Sequence, residues 1–198
     1  FCQSYVPPQH FLDLFAEPEE TYPTPSVTEG QKSFTSQEQM MTFLHELNEK
    51  TDFMRMEVIG QSTEGRDIPM LVYSKSQNED SEDFKRKPTV WLQAHVHGHE
   101  PASGESALVI AYKLAKETLG QELLDDINVV IVPRINPDSV YYFEQLSPTK
   151  INGNRDHINL EMPELQAVHA AFNRYQAEVV IDAHEYEATP AYQDVGEE

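Results

Sequence analysis

Three short, mostly apolar runs, residues 88–94, 127–133 and 179–183, constrain the fold of this chain more than any other feature. A run that stays apolar at successive positions has no face to give to water, so each reads as a strand covered on both sides. Helical spacing fills the gaps between them. A helix opening at Pro101 or Ala102 carries Ala107, Leu108, Ala111, Leu114 and Ala115 on one face and runs to about Leu119, with Gly120 as its stop. A second helix starts at Pro163 with Leu165, Val168, Phe172 and Tyr175 on one side. Strands alternating with helices give an α/β fold, a mixed, largely parallel central sheet flanked by helices. In such sheets ligands sit beyond the carboxyl ends of the strands.

Upstream, the pattern changes. Thr35-Ser36-Gln37-Glu38 offers a capping box, and Met40, Phe43, Leu44 and Leu47 follow at helical spacing. Residues 54–59 and 67–73 read as two strands of a hairpin, joined by a tight turn over 63–66 in which Gly65 supplies the permissive backbone. Residues 77–87 read as a charged surface loop, and residues 143–156 as a polar one. Residues 1–34 lack periodicity and hold Pro7, Pro8, Pro18, Pro23 and Pro25, so they read as an extended Pro-rich leader ahead of one domain over 35–198. That leader is either an extracytoplasmic tail, which points to a secreted or periplasmic protein, or simply unstructured chain. The first residue is Phe1, consistent with a mature, processed or trimmed chain.

Composition removes several function classes. The formal net charge is −20, whereas binding nucleic acid requires a basic face. No stretch approaches the ~18 apolar residues of a membrane span. The one cysteine, Cys2, leaves no intrachain disulfide to form.

The chemistry gathers at strand ends. His97 and Glu100 follow the first run in His95-Val96-His97-Gly98-His99-Glu100, and His184 follows the third. Two imidazoles and one carboxylate are a three-donor set that leaves a zinc ion one open position, the mark of a catalytic site rather than a structural one. Gly98 is expected to let the backbone bend so that His97 and Glu100 converge. His95, still on the strand, is expected to enter the sheet face or to donate from behind the ligands, and His99 to face away. Asp182 is expected to orient the His184 ring or pack beneath it. Glu185 and Glu187 read as solvated. The competing reading is an exposed histidine cluster without metal, which leaves a second histidine at an equivalent strand end unexplained.

At these residues the chain resembles the zinc carboxypeptidases, the metallopeptidase family of carboxypeptidase A, in its bacterial branch. Four segments carry the likeness in the family's order: His97-Gly98-His99-Glu100 with the helix start after it, Asn136-Pro137-Asp138, Asn154-Arg155-Asp156, and Asp182-Ala183-His184. The hairpin turn Glu64-Gly65-Arg66 fits as well. The resemblance implies one zinc ion per chain on His97, Glu100 and His184, acidifying a water and polarising the scissile carbonyl. It implies that Asn154 and Arg155 grip the free C-terminal carboxylate of a peptide, the planar pairing that guanidinium suits. The competing role for Arg155 is a surface ion pair with Asp156 or Glu161.

The chain departs from the family pattern in several places. Ser139 stands where the family has Gly. Between Ser139 and Asn154 there is no arginine to stabilise an oxyanion, and Lys150 is the only cation. Asn152 or Gly153 replaces the family's Asp before the Asn-Arg pair. The family's general base, a glutamate on a late strand, has no counterpart in the 14 residues after His184, so the catalytic base is expected outside this chain, with the sheet cut short before its last strands. Two rivals remain open: a zinc-dependent acylamino-acid deacylase of the aspartoacylase or succinylglutamate desuccinylase type, and a non-catalytic zinc- or peptide-binding fragment. A metallo-β-lactamase-like site would want Asp-His where this chain has His99-Glu100.

Overall fold

A computed structural model describes residues 21–28, 31 and 33–185. Most of the expected leader, and Glu187, lie outside the described residues. Helix α1 (Gln37–Glu49) leads into the hairpin β1 (Met54–Gln61) and β2 (Asp67–Tyr73). A short helix α2 (Glu82–Arg86) precedes β3 (Thr89–Ala94), and two helices, α3 (Pro101–Lys116) and α4 (Thr118–Asp126), precede β4 (Asn128–Val132). The described residues continue through α5 (Pro137–Tyr142), α6 (Pro163–Tyr175) and β5 (Val179–Ala183).

The five strands form one sheet in the order β1-β2-β4-β3-β5. The β4-β3 and β3-β5 pairs run parallel, while β1-β2 and β2-β4 run antiparallel. The sheet is therefore mixed, with a parallel half and a hairpin half. Alternation along the central strands explains their continuous apolar sequence. Leu92, Val129 and Ile131 face a cluster with Leu44 of α1, Leu108 and Ala111 of α3, and Leu124 of α4. Trp91, Val130 and Val132 face the other way, onto Leu165 and Val168 of α6. Trp91 meets Phe172 edge to face at 5.3 Å between ring centres. The β5 edge differs: Val179, Val180 and Ile181 are about half exposed.

Three local expectations are corrected. The cap of α1 is Ser36, whose hydroxyl accepts from the Gln39 N–H while the Gln39 side chain accepts from the Ser36 N–H. Thr35 is unavailable because its N–H and hydroxyl both donate to the Glu105 carboxylate, at 2.7 and 2.8 Å. Gly120 does not end a helix. The chain breaks at Glu117 and restarts, and Gly120 lies inside α4, where a Cβ would stand 2.5 Å from the Lys113 carbonyl oxygen. The 77–87 segment contains α2, capped by Ser81. Asn136-Pro137-Asp138, which resembles a turn of the family, opens the helix α5, with Asn136 Oδ1 accepting from the Ser139 N–H.

Ion pairs join α6 to the hairpin. Glu57 on β1 accepts from Arg174 at 2.6 Å and from Arg55 at 2.9 Å. Burial pushes the Glu57 carboxyl up, but the two guanidiniums outweigh it and hold it below its ordinary 4.5. A depressed carboxyl contributes stability that is complete above the unfolded value and is lost as pH falls through the folded one. Acid titration of stability should therefore show a loss beginning near pH 4.5, and Glu57→Gln should remove about 1 kcal/mol or less of it, since the group is partly solvated. Identical acid profiles for the two proteins would rule out the pairing.

Candidate metal centre

Adjacent parallel strands bring the distant candidate ligands together. β3 and β5 pair in register with Ala94 opposite Ala183, so the chain leaves both strands on the same edge of the sheet. His184 follows Ala183 directly, and His97 and Glu100 lie in the turn after Ala94. One donor atom from each of His97, Glu100 and His184 falls within 4.8 Å of the others. The Glu100 carboxylate is the meeting point: Oε1 lies 2.6 Å from His97 Nδ1, and Oε2 lies 2.7 Å from His184 Nδ1.

The far side of each ring is held too. His97 Nε2 faces Asn152 Oδ1 at 3.0 Å. A ring that donates Nε2–H to Asn152 would have its Nδ1 available to a metal ion beside Glu100. His184 Nε2 lies 3.4 Å from Asp182 Oδ2 and 3.2 Å from the Asn154 amide. Asp182 therefore stands where the sequence places it, behind the ring. Two imidazole nitrogens and a carboxylate converge, a donor set of the chemistry and number that a zinc ion with one open position takes.

Glu100 carries a further consequence. It is the N-cap of α3, yet its side chain is turned to the histidines and makes no cap bond. Glu185 takes over that role, its Oε2 accepting from the Ala102 N–H at 3.0 Å in the first helical turn. The Glu185 N–H in turn donates to Glu100 Oε2 at 3.1 Å. Glu185 is exposed, as the sequence suggests, but its carboxylate is engaged, and no local pattern could have paired it with a helix start 83 positions away. Burial alone would raise the Glu100 carboxyl, but His97, the Glu185 N–H and His184 together hold it below 4.5.

Gly98 is needed for a reason other than bending. Its backbone does not lie in the left-handed region, but a Cβ there would fall 1.9 Å from the Ser139 carbonyl oxygen, on the first turn of α5. The metal loop is pressed onto that turn and stitched to it. The Asn136 N–H donates to the His95 carbonyl at 3.2 Å, and the Gly98 N–H to the Glu144 carbonyl at 2.8 Å. Ser139, in place of the family's Gly, has an ordinary helical backbone and donates its hydroxyl to the Leu146 carbonyl.

His95 lies just past the strand in the left-handed region at φ 58°. It does not support the ligands. Its buried ring presses on Gly104, where a Cβ would sit 2.3 Å from Nδ1, and neither ring nitrogen has a well-formed hydrogen bond. Burial, helped by the charge of Arg134, drops its pKa to about 3, so the ring is neutral at physiological pH. Of the two residues expected to grip a substrate, Asn154 contacts His184, and Arg155 is exposed, its Nη1 donating, among the described residues, only to the Asn154 carbonyl. Arg155 pairs with neither Asp156 nor Glu161; the Asp156 carboxylate is taken by the Glu161 and Met162 N–H groups. Lys150 lines a surface hollow with Glu64, Tyr142 and Glu144.

A family model for zinc carboxypeptidase matches residues 40–159, more than half of the chain. This chain belongs to the zinc carboxypeptidase family. His97, Glu100, Asn154 and Arg155 lie inside the matched segment, and His184 lies beyond it. Carboxypeptidase 2 of Trichophyton rubrum is 32% identical over 167 residues, which cover 83% of this chain and 31% of that protein. The inactive metallocarboxypeptidase ecm14 of Sclerotinia sclerotiorum is 38% identical over 93 residues, covering 45% of this chain and 16% of that one. A metallo-carboxypeptidase from Burkholderia cenocepacia shares the fold at a TM-score of 0.68 and 23% identity, over 77% of this chain and 42% of that one. The chain spans about a third of the length of the curated carboxypeptidase 2 relatives it matches. Bacterial structures thus match in fold, while these sequence relatives are fungal.

Proposed function

We propose that this chain carries the metal-binding half of a zinc metallocarboxypeptidase that cleaves the C-terminal peptide bond of peptides. The single observation that supports this reading most is the meeting of His97 Nδ1, the Glu100 carboxylate and His184 Nδ1 beside the Asn154–Arg155 pair. His97, Glu100 and His184 would hold one zinc ion, which when bound acidifies a water and polarises the scissile carbonyl. Asn152 and Asp182 fix the ring orientations. Arg155, free of any ion pair among the described residues, offers its fork of donors to the terminal carboxylate of the substrate. That demand for a chain end makes an exopeptidase of the site. An exported setting belongs to the same reading and is checked by fractionating cells that make the protein. Among the described residues no helix is long and apolar enough to cross a membrane.

The test is hydrolysis by the zinc-loaded full-length natural protein of an N-blocked dipeptide with a free C-terminus, beside the same dipeptide as its C-terminal amide. Cleavage of the acid alone supports the peptidase. Cleavage of N-acetyl-aspartate instead supports the deacylase. Tight binding of the free acid without turnover supports a non-catalytic binder, a reading favoured by the family's inactive member in Sclerotinia sclerotiorum. Arg155→Ala should weaken binding of the free acid by roughly 10- to 100-fold, the worth of hydrogen bonds to a charged group, and leave zinc content unchanged. Equal affinity of parent and variant for the free acid would remove Arg155 from the site.

A further inference from the structure

A second cavity, of about 260 Å³, lies on the other side of the metal loop. Phe34, Pro101, Val140 and Phe143 supply apolar walls, and Gly98 joins them from the turn between the metal-binding residues. Phe34 and Phe143 are each about half exposed, with their rings parallel within 2°, so they form a lip open to solvent. Three polar side chains of its lining are buried, Thr35, Arg134 and His95, at 2%, 2% and 1% exposed, and both polar groups of Thr35 are spent on Glu105.

Arg134 is the anomaly. A buried charge is normally paired, because taking an unpaired ion out of water costs several kcal/mol. Arg134 has no ion pair among the described residues. Its Nη2 donates to the Thr35 carbonyl at 2.7 Å, its Nη1 reaches Gln37 Oε1 at a long 3.3 Å, and its Nε has no partner. Glu105 contributes compensating charge without pairing, and its two oxygens are both occupied by Thr35. Burial lowers the Arg134 pKa to about 10, only partly offset by Glu105. The guanidinium therefore stays charged at neutral pH in a pocket that offers it no anion. The pocket is smaller than the ~300 Å³ at which drug-sized sites begin, yet exceeds the ~150 Å³ that takes a single benzene ring.

We propose that this cavity binds a small monocarboxylate with one aromatic or branched apolar body, its carboxylate meeting Arg134 in place of the Gln37 amide and its body lying between the apolar walls. The site does not depend on the peptidase reading, because none of the three metal-binding side chains lines it.

Phenylacetate titrated calorimetrically into the whole chain, with a chelator present so that no zinc competes for the acid, should bind one to one. Phenylacetamide, the same body without the charge, should bind at least tenfold more weakly. Arg134→Met should reduce phenylacetate affinity at least tenfold with the melting temperature unchanged or raised. Val140→Phe, which fills the cavity from its wall and leaves Arg134 in place, should abolish binding, and Arg155→Ala should leave it intact. N-acetyl-phenylalanine carries its carboxylate on a bulkier body; weaker binding than phenylacetate supports a free small acid, and tighter binding overturns it in favour of a chain end. Absence of phenylacetate binding at millimolar concentration, or binding that survives Val140→Phe and is lost with Arg155→Ala, overturns the site.

Discussion

Asp138→Ala should lower stability by about 3–5 kcal/mol, the usual cost of leaving the partners of a buried charge without it. The Asp138 side chain is fully buried. Its Oδ1 accepts from Ser62 Oγ at 2.5 Å and from Arg66 Nη1 at 2.6 Å, and its Oδ2 from the Glu64 N–H at 2.9 Å. One carboxylate thus fastens the hairpin turn to the first turn of α5. The hairpin could otherwise swing, since Gly65 at φ 83° makes its turn tight but gives it no anchor of its own. Removing the carboxylate strands three donors at once, and only Arg66 retains a second anion, Glu64 at 2.6 Å. A lower denaturant midpoint with an unchanged slope would report the loss. Asp138→Asn, which keeps the shape and one acceptor, should cost less. A cost below about 1 kcal/mol for the alanine variant would mean that water replaces the carboxylate, against the burial described.

His184→Ala should weaken zinc binding by well over 100-fold. Even partners that only orient a ligand are worth about 10–100-fold in metal affinity, and here a donor itself is removed from a set of three. The variant also releases Glu100 Oε2 and leaves Asp182 facing a gap, so His97 and Glu100 remain as a two-donor site. Competition against a chelating dye measures the affinity directly. His99→Ala is the matched control: its ring centre lies 5.9 Å from that of His97, and it supplies none of the three converging donors. Parallel losses in the two variants would point to general unfolding of the loop instead of ligation.

The parts legible in sequence are those set by periodicity and by strand ends. Continuous apolar runs announced β3 and β4 because both faces of those strands are covered, by α3 on one side and α6 on the other. His97 and His184 could be paired across 87 positions because both follow carboxyl ends of strands, and the β3-β5 register makes those ends neighbours. What sequence could not supply is competition between equivalent local choices. Thr35 and Ser36 are both good helix caps, and Glu105, 70 residues on, decides between them. Glu185 reads as one more surface acid until Glu100 turns away from its own helix. Gly98 reads as a hinge and proves to be a steric necessity imposed by Ser139. Arg134 has no local signature of burial, since its enclosure comes from the 33–37 segment and α5 closing over it.

Whether residues from two strand ends share one ion can be read by X-ray absorption at the zinc edge of the loaded chain. Two imidazole nitrogens at about 2.0–2.1 Å and a carboxylate oxygen at about 2.0–2.2 Å are expected, with one nitrogen lost in His184→Ala. An all-oxygen shell, or a shell identical in parent and variant, would contradict a shared ion.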